Sequence, residues 1–560
     1  MKIKIAQMRV KALDVKANYL SMMEIIQQTQ NDVEILVFPR NALLGTMHGD
    51  RIENKYLIQD VLYYQEKIRV ESTDFAIVWG GLDYLDDELY ECIHFCRHQE
   101  IKKIYKRSLN DSVYHSESKY YDLHRPNQNL VILKGRKISF SYFDDFIPVP
   151  SDLNIVIDSS YWYQGIEEKR LEKVESYEEK VLYVNHVGMQ NTGNNVFVYD
   201  GASFYFDREI GRVQIASCFE EEAVVVDVDA IERQKKCDAH HYNALLSLIR
   251  WYDDEIFPFK PMWIVGLSGG LDSAVSLGLL SKALGNKRVL AVTMPSKYNQ
   301  STSKNNAKKM ASALSVELLE VPIEQLAQVT LESLDVAGID ASEGLAYENI
   351  QARLRGHILM SISSVRNGVI MNNGNKLESA FGYATMYGDA IGALSILGDL
   401  TKLEVSAIAE AINNDYKQEI IPYNLIAKIS KEKIEWDFAP SAELRDDQTD
   451  PMKWGYHDHL LSFILKNDVE KLLEMYDNGT IYDTDFGDYL KVYGLDDPQL
   501  FIEDLDWVIR QLYGSIYKRI QMPPIAVMSE TAFGTGKLKA QYAHIPTKTY
   551  EAYRTKILEK

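Results

Sequence analysis

Short apolar runs broken by polar turns dominate the chain from Met1 to about Asp229: KIKIAQM, VEILVFP, FAIVWGGL, NLVILKG, KISFSYF, NIVIDSS, KVLYVNHVG, FVYDGASFYF and EAVVVDVD. Each has the length and the β-branched and aromatic content of a strand. Helical spacing appears between some of them, at Asn18 to Gln28 and Gln164 to Tyr177, which predicts sheets covered by helices. From Ile231 the pattern changes. IERQKKCDAHHYNALLSLIRWYDDEI places apolar residues at helical spacing and predicts a connecting helix over 231–260. Beyond it, MWIVGLSGG, VLAVTMP and VELLEVP alternate with AVSLGLLSKAL and SKNNAKKMASALS, the signature of right-handed crossovers joining parallel strands. The expected organisation is a domain over 1–230, the connector, and a doubly wound parallel α/β domain over 261–560.

Length agrees with that division, because 560 residues exceed what one core supports. At 46% hydrophobic and 25% charged, with 31 Gly and 15 Pro, the composition is that of ordinary globular units. With 61 Lys+Arg against 81 Asp+Glu, a net charge of -20 repels nucleic acid, so any phosphate must be held by a local site. Four cysteines cannot make a disulfide framework, no run is long and apolar enough for a membrane span, and MKIKIAQMRV lacks the layout of a secretory signal. A cytoplasmic protein is expected.

The sharpest chemical signal is Gly266-Leu267-Ser268-Gly269-Gly270-Leu271-Asp272-Ser273, set between an apolar strand and an apolar helix. Gly269 and Gly270 let the backbone approach a ligand. The following helix N-terminus, with the hydroxyls of Ser268 and Ser273, can cradle a pyrophosphate. The loop lacks the GK[ST] ending used for γ-phosphate transfer, so it reads as a grip on the pyrophosphate released when AMP is transferred, with Asp272 as a Mg²⁺ ligand. Further on, Glu348 to Arg353 starts a helix, and Asn373 to Glu378 follows the buried run GVIMN, where a doubly wound sheet binds its ligands. Glu378 is the natural second carboxylate for Mg²⁺.

In these blocks the chain resembles the NAD⁺ synthetases in their long, glutamine-dependent form. The resemblance rests on GLSGGLDS (266–273), MPSKYNQSTS (294–303), ENIQARLR (348–355), NGNKLESAFGYATMYGDAIG (373–392), PSAELRDDQ (440–448), YKRIQMPP (517–524) and AFGTGK (532–537). In the first half VNHVGMQ (184–190) and VFVYDGASF (196–204) look like that family's nitrilase-type glutaminase domain. The resemblance implies an N-terminal αββα sandwich and a C-terminal ATP-pyrophosphatase domain. It implies adenylylation of deamido-NAD⁺ by ATP and Mg²⁺, then displacement of AMP by ammonia. Carried over, Gly266 to Ser273 and Asn373 bind ATP, Asp272 and Glu378 hold Mg²⁺, and Asn349, Arg353, Glu378 and Lys518 approach deamido-NAD⁺. Lys402 completes the catalytic set, and a homo-oligomer is expected. Asn373 and Leu377 stand where the family has Thr and Ser, which implies shifted nucleotide contacts.

A nitrilase-type glutaminase needs Glu as base, Lys to stabilise charge and Cys as nucleophile. Here Arg40 stands at the Glu position and Tyr142 at the Cys position, with Asp144 and Phe146 as landmarks. Lys106 and Glu117 are kept, as a pair without partners; Ser112 replaces a glutamine-holding tyrosine and Ile166 a pocket lysine. The expectation is a degenerate glutaminase half, kept as an oligomerisation scaffold or ammonia conduit. The synthetase would then take free ammonia or receive it from a separate glutaminase. The alternatives are a glutamine-dependent enzyme whose nucleophile lies elsewhere, with Ser139 or Ser141 in register, or a silent nucleotide-binding scaffold. Arg40 could also hold a new anion beside Lys106. In ECIHFCRH, Cys92, His94, Cys96 and His98 share one face of a strand, but i and i+4 lie about 13 Å apart, too far for one tetrahedral metal. Cys237, His240 and His241 at helical spacing are the remaining weak metal candidates.

Overall fold

The computed structural model describes residues 1–72, 74–123, 129–176, 179–231, 239–430, 433–445, 448–534 and 538–560. Cys237, and positions 446–447 and 535–537 of the PSAELRDDQ and AFGTGK segments, lie outside them. The chain divides into two compact units, 1–192 with 196–251, and 193–195 with 252–560. The predicted connector is a helix, α4 (His241–Ile256), and the division falls within it.

The first unit is built on β1 (Lys2–Gln7), β2 (Ile35–Val37), β3 (Ala76–Leu85), β4 (Glu88–Arg97), β5 (Glu100–Tyr105), β6 (Leu130–Leu133), β7 (Arg136–Tyr142), β8 (Leu153–Ile157), β9 (Val181–Val184), a hairpin of β10 (Val187–Thr192) and β11 (Asn195–Asp200), β12 (Phe204–Asp207), β13 (Gly211–Gln214) and β14 (Glu222–Asp227). Two six-stranded sheets result, ordered β14-β1-β2-β3-β4-β5 and β13-β12-β9-β8-β7-β6. Strand alternation gives each sheet an inner face, and Ile3, Ile5, Val37 and Val78 of one meet Phe140, Ile155, Ile157 and Val184 of the other in a common core. The outer faces are covered by helices. Phe38, Ile77 and Trp79 pack with α1 (Val15–Gln27) and α2 (Lys55–Glu71), and Val156, Tyr183 and Phe204 with α3 (Ile166–Glu175). This is the expected αββα layering.

Two strands drawn as continuous in the sequence are broken. KVLYVNHVG divides between β9 and β10, and FVYDGASFYF between β11 and β12. Gly201 turns the second break at φ +68°, and a Cβ there would lie 2.1 Å from the Gln7 carboxamide carbon, so an apolar run conceals a turn that favours glycine.

In the second unit β15 (Met262–Gly266), β16 (Val289–Thr293), β17 (Glu317–Glu320), β18 (Gly368–Asn372), β19 (Leu394–Ser395) and β22 (Ile525–Ala526) form a parallel sheet in the order β22-β19-β18-β15-β16-β17. A short antiparallel pair, β20 (Lys428–Ile429) and β21 (Ile434–Glu435), stands apart. Ile264 pairs with Leu290 on one side and Ile370 on the other, and the buried runs are apolar throughout because both faces are covered. The crossovers are α5 (Leu271–Leu284), α6 (Ser301–Ala313), and α7 (Glu324–Asp335) with α8 (Gly344–Arg366). The short α9 (Lys376–Phe381) and then α10 (Lys402–Tyr416), which packs on α5, follow β18 and β19. Chain direction across the sheet reverses between β15 and β18. That is the switch point where the carboxyl ends of the strands leave a crevice.

Candidate functional site

The crevice holds a cavity of about 330 Å³ lined by the loop after β15, the ends of β16 and β18, and the segment 438–444. Seven of the eight residues of the Gly266–Ser273 loop line it. The exception is Gly269, which stands at φ +88° with its α-carbon against Ser303; a Cβ would fall 2.1 Å from the Ser303 carbonyl oxygen. Glycine here lets the loop press on α6. Gly270 ends the turn as the N-cap of α5 without a side-chain cap, so the first amides of the helix remain for a ligand. Ser268 and Ser273 are held together, Oγ to Oγ 3.1 Å, and Ser268 Oγ accepts from Gly270 N at 3.2 Å. Asn373 donates to the Gly266 carbonyl at 3.0 Å, while its Oδ1, buried without a partner, is an acceptor in the cavity wall.

Beside this loop, Lys402 at the start of α10 reaches Glu378 Oε1 at 2.8 Å, Asp272 Oδ2 at 3.3 Å and Asp450 Oδ2 at 3.8 Å. All four line the cavity, so two of the expected catalytic carboxylates do meet the expected lysine. Asp450 was not foreseen; it lies in a polar stretch, QTDPMKW, with nothing local to single it out. Glu378 also accepts from Asn375 N at 3.1 Å, closing a capping box at the N-terminus of α9, and Asn375 Nδ2 donates to Asp272 at 3.2 Å. Burial pushes the Glu378 carboxyl up to about 7; Lys402 opposes this and Asp272 adds to it. Burial alone would lower the Lys402 ammonium, but Asp272, Glu378 and Asp450 outweigh it and hold it above its ordinary range. Among the described residues no three Cys, His, Asp or Glu side chains converge as a metal cage. A pair of carboxylates beside the glycine loop is nevertheless a donor set that Mg²⁺ uses when nucleotide phosphates supply the remainder.

Asn349, Arg353 and Lys518 do not line the cavity. They gather on the segment after α9. Thr385 Oγ1 donates to Asn349 at 2.9 Å, Arg353 donates to the Met386 carbonyl at 3.4 Å, and Lys518 donates to the carbonyls of Gly382 (2.8 Å) and Ala384 (2.9 Å). That segment contributes Tyr383 and Ala384 to the wall, with Asp389 and Arg355 close by. Burial pushes Asp389 up to about 6 and draws the Arg355 guanidinium down to about 10. Arg355 was missed because its neighbour Arg353, one helical face away, carried the expectation.

The corresponding end of the first unit is filled. Arg40, just after β2, donates to both oxygens of Glu91 at 2.6 Å, to Glu117 at 2.5 Å and to Asp144 at 2.8 Å. Lys106, just after β5, lies 2.5 Å from Glu117 and Asp144 and 3.8 Å from Glu91. Lys106 and Glu117 therefore do have partners, contrary to expectation, and Arg40 is neutralised within the protein rather than left for a new anion. The Tyr142 ring packs under the guanidinium, 4.9 Å from its carbon, with a buried hydroxyl that has no partner. Ser139 and Ser141 alternate with Tyr142 along β7 and so face the other way. Ile166 is buried at the start of α3. Gly80 makes the close approach possible, since a Cβ there would lie 2.7 Å from the Arg40 α-carbon. In β4, Glu91 turns to this cluster while Cys92, His94 and Cys96 point to the opposite face, where Cys92 Sγ lies 3.7 Å from His94 Nε2.

These pairs carry a pH dependence. Burial raises the Asp144 carboxyl, but Arg40 and Lys106 prevail and hold it below the usual carboxylate range. The stabilisation is present above pH about 4, where an unfolded Asp ionises, and is lost as pH falls below it. Amide-exchange protection of β7 is expected to drop below pH about 4, and Asp144→Asn to flatten that portion of the profile. An unchanged profile would remove Asp144 from the stabilising set.

Residues 255–483 match the NAD synthase family, so the second unit carries a domain of that class. The chain as a whole is homologous to glutamine-dependent NAD⁺ synthetases. It is 29% identical over 478 residues to that of Xanthomonas campestris, covering 80% of this chain and 84% of the relative. It is 25% identical over 534 residues to that of Thermotoga maritima, covering 85% and 89%. The fold follows solved structures of such enzymes from Acinetobacter baumannii, in complex with ADP (TM-score 0.71, 22% identity, 98% and 99% covered), and Cytophaga hutchinsonii (TM-score 0.77, 15% identity, 100% and 99% covered). The sequence resemblance and the expected fold class therefore hold.

Proposed function

We propose that the protein is an NAD⁺ synthetase: it transfers AMP from ATP to the carboxylate of deamido-NAD⁺ and replaces AMP by ammonia. The observation that carries this reading is the joining, in one crevice, of a glycine loop opening a helix whose N-terminus has no side-chain cap with the Asp272–Glu378–Lys402 cluster. The α5 amides with Ser268 and Ser273 hold the β- and γ-phosphates, which leave together as pyrophosphate. Asn373 Oδ1 accepts a hydrogen bond from the nucleotide, and Met294, Leu359 and Ile391 supply apolar wall. When bound, Mg²⁺ offsets charge on the phosphates; Asp272 and Glu378 would hold it. Lys402 keeps both carboxylates on the phosphate side. The segment 382–386, gripped by Asn349, Arg353 and Lys518, is placed to meet deamido-NAD⁺, with Arg355 as a further anion partner.

The test is pyrophosphate release from ATP and Mg²⁺. Release that depends on deamido-NAD⁺ is expected; none with it present would favour a silent nucleotide-binding scaffold, and release with a different carboxylate would change the substrate. Gly269→Ala is expected to weaken ATP binding by at least tenfold in calorimetric titration. The left-handed backbone costs roughly 1–2 kcal/mol for an L side chain before the clash with Ser303 is counted. Unaltered affinity would mean the loop does not hold the phosphates.

A further inference from the structure

We infer that the first unit does not hydrolyse glutamine and that the nitrogen this chain incorporates is free ammonia. The second half of the statement rests on the synthetase reading; the first stands on the unit's own residues.

Releasing ammonia from a γ-amide takes a nucleophile within reach of the amide carbon, a base to receive its proton, and room for the amide. The residues after β2, β5 and β7 provide none of these. Arg40 occupies the middle of the cluster, its nitrogens engaged by Glu91, Glu117 and Asp144. Those three carboxylates are each ion-paired with Arg40 or Lys106, and the neighbouring Asp145 is tied to the Arg107 amide, from which it accepts at 2.7 Å. Tyr142 closes the floor, and burial pushes its phenol further above an already high range. Two cations against three carboxylates leave the cluster net negative, which disfavours the α-carboxylate of an incoming amino acid.

The described cysteines do not repair this. Cys92 and Cys96 are fully buried on the face of β4 turned away from Glu91, and the Cys218 sulfur is held in a disulfide, so it offers no thiol. Cys92 touches His94, a pairing that could suggest a thiol and its base. Burial pushes that thiol up and draws the imidazole down to about 3, so the pair stays neutral, and neither residue meets solvent. The amidation then balances without glutamine. Ammonia attacks the acyl carbon of the adenylate, a C–N bond forms, the C–O bond to AMP breaks, AMP departs with that electron pair, and the added nitrogen sheds one proton. A reaction that liberates ammonia must operate upstream.

The test uses the full chain with glutamine ¹⁵N-labelled in its side-chain amide. Glutamate and labelled ammonia are followed first without ATP and then under synthesis conditions, with ¹⁵N-ammonium as the parallel nitrogen source. Glutamate at the level of the protein-free blank is expected, since losing a nucleophile and its base lowers turnover on the order of 10⁶-fold. Label is expected in NAD⁺ from ammonium and not from glutamine. Glutamate formed in step with labelled NAD⁺ would overturn the inference. Absence of NAD⁺ from both sources would count against the synthetase reading alone, because the glutamate measurement decides the first unit by itself. As a second readout, an electrophilic diazo-ketone analogue of glutamine is expected to leave the protein's intact mass unchanged; an adduct on residues 1–192 or 196–251 would also overturn it.

Discussion

Lys402→Ala is expected to lower the rate of NAD⁺ formation on the order of 10²- to 10³-fold with ammonium saturating, which is the scale of losing one preorganised electrostatic group. The ammonium lies 2.8 Å from Glu378 and 3.3 Å from Asp272, in a site where Lys402 is only 3% exposed. Without it, two carboxylates face each other across a buried gap. One takes up a proton, and Glu378, already raised to about 7, is the one that does so. On the proposed function, Mg²⁺ would then meet one anionic ligand in place of two. The effect should fall mainly on turnover and on the Mg²⁺ requirement, with ATP affinity less affected because the α5 amides and serines are untouched. A rate within about threefold of the parent would separate Lys402 from the chemistry. The thermal transition of the variant distinguishes this from misfolding.

Arg40→Ala is expected to destabilise the first unit by about 3–5 kcal/mol, the cost of removing one partner from a buried ion pair and leaving the others uncompensated. Arg40 is 5% exposed and Glu91 2%. Alanine would leave Lys106 alone with three carboxylates. In hydrogen exchange under denaturant, peptides spanning 35–40, 88–97 and 136–144 should lose protection together. Replacing Arg40, Glu91 and Glu117 jointly by apolar residues of similar volume should cost far less, because desolvation of the charges disappears with them. If Arg40→Ala alone left exchange unchanged, the cluster would be ornamental to the fold.

Much of this architecture could be read from the chain, for a local reason. MWIVGLSGGLDS carries its strand, turn and helix start in twelve consecutive residues, so both the parallel strand and the glycine loop at its carboxyl end were visible there. What stayed hidden depends on contacts between distant positions. Asp450 joins Asp272 and Lys402 from a polar stretch that has no periodicity. Glu91 was overlooked inside ECIHFCRH because the alternating cysteines and histidines drew notice to one face of β4, while the glutamate on the other meets Arg40, fifty-one residues earlier. Arg40 and Lys106 could each be judged against a glutaminase site, but that they share their carboxylates is a property of folded sheets. The breaks at β9–β10 and β11–β12 were concealed by apolar residues continuing through the turns.

Glu378 has one oxygen on Lys402 and the other on the first amide of the capping box that starts α9. Whatever alters the charge or engagement of this carboxylate therefore also alters how firmly α9 is fastened. The chain leaving α9 is the segment held by Asn349, Arg353 and Lys518. The six-residue α9 thus joins the carboxylate cluster at its start to the 382–386 segment at its end, so that, on the proposed function, a change in nucleotide occupancy would reach the second substrate's side through one short helix.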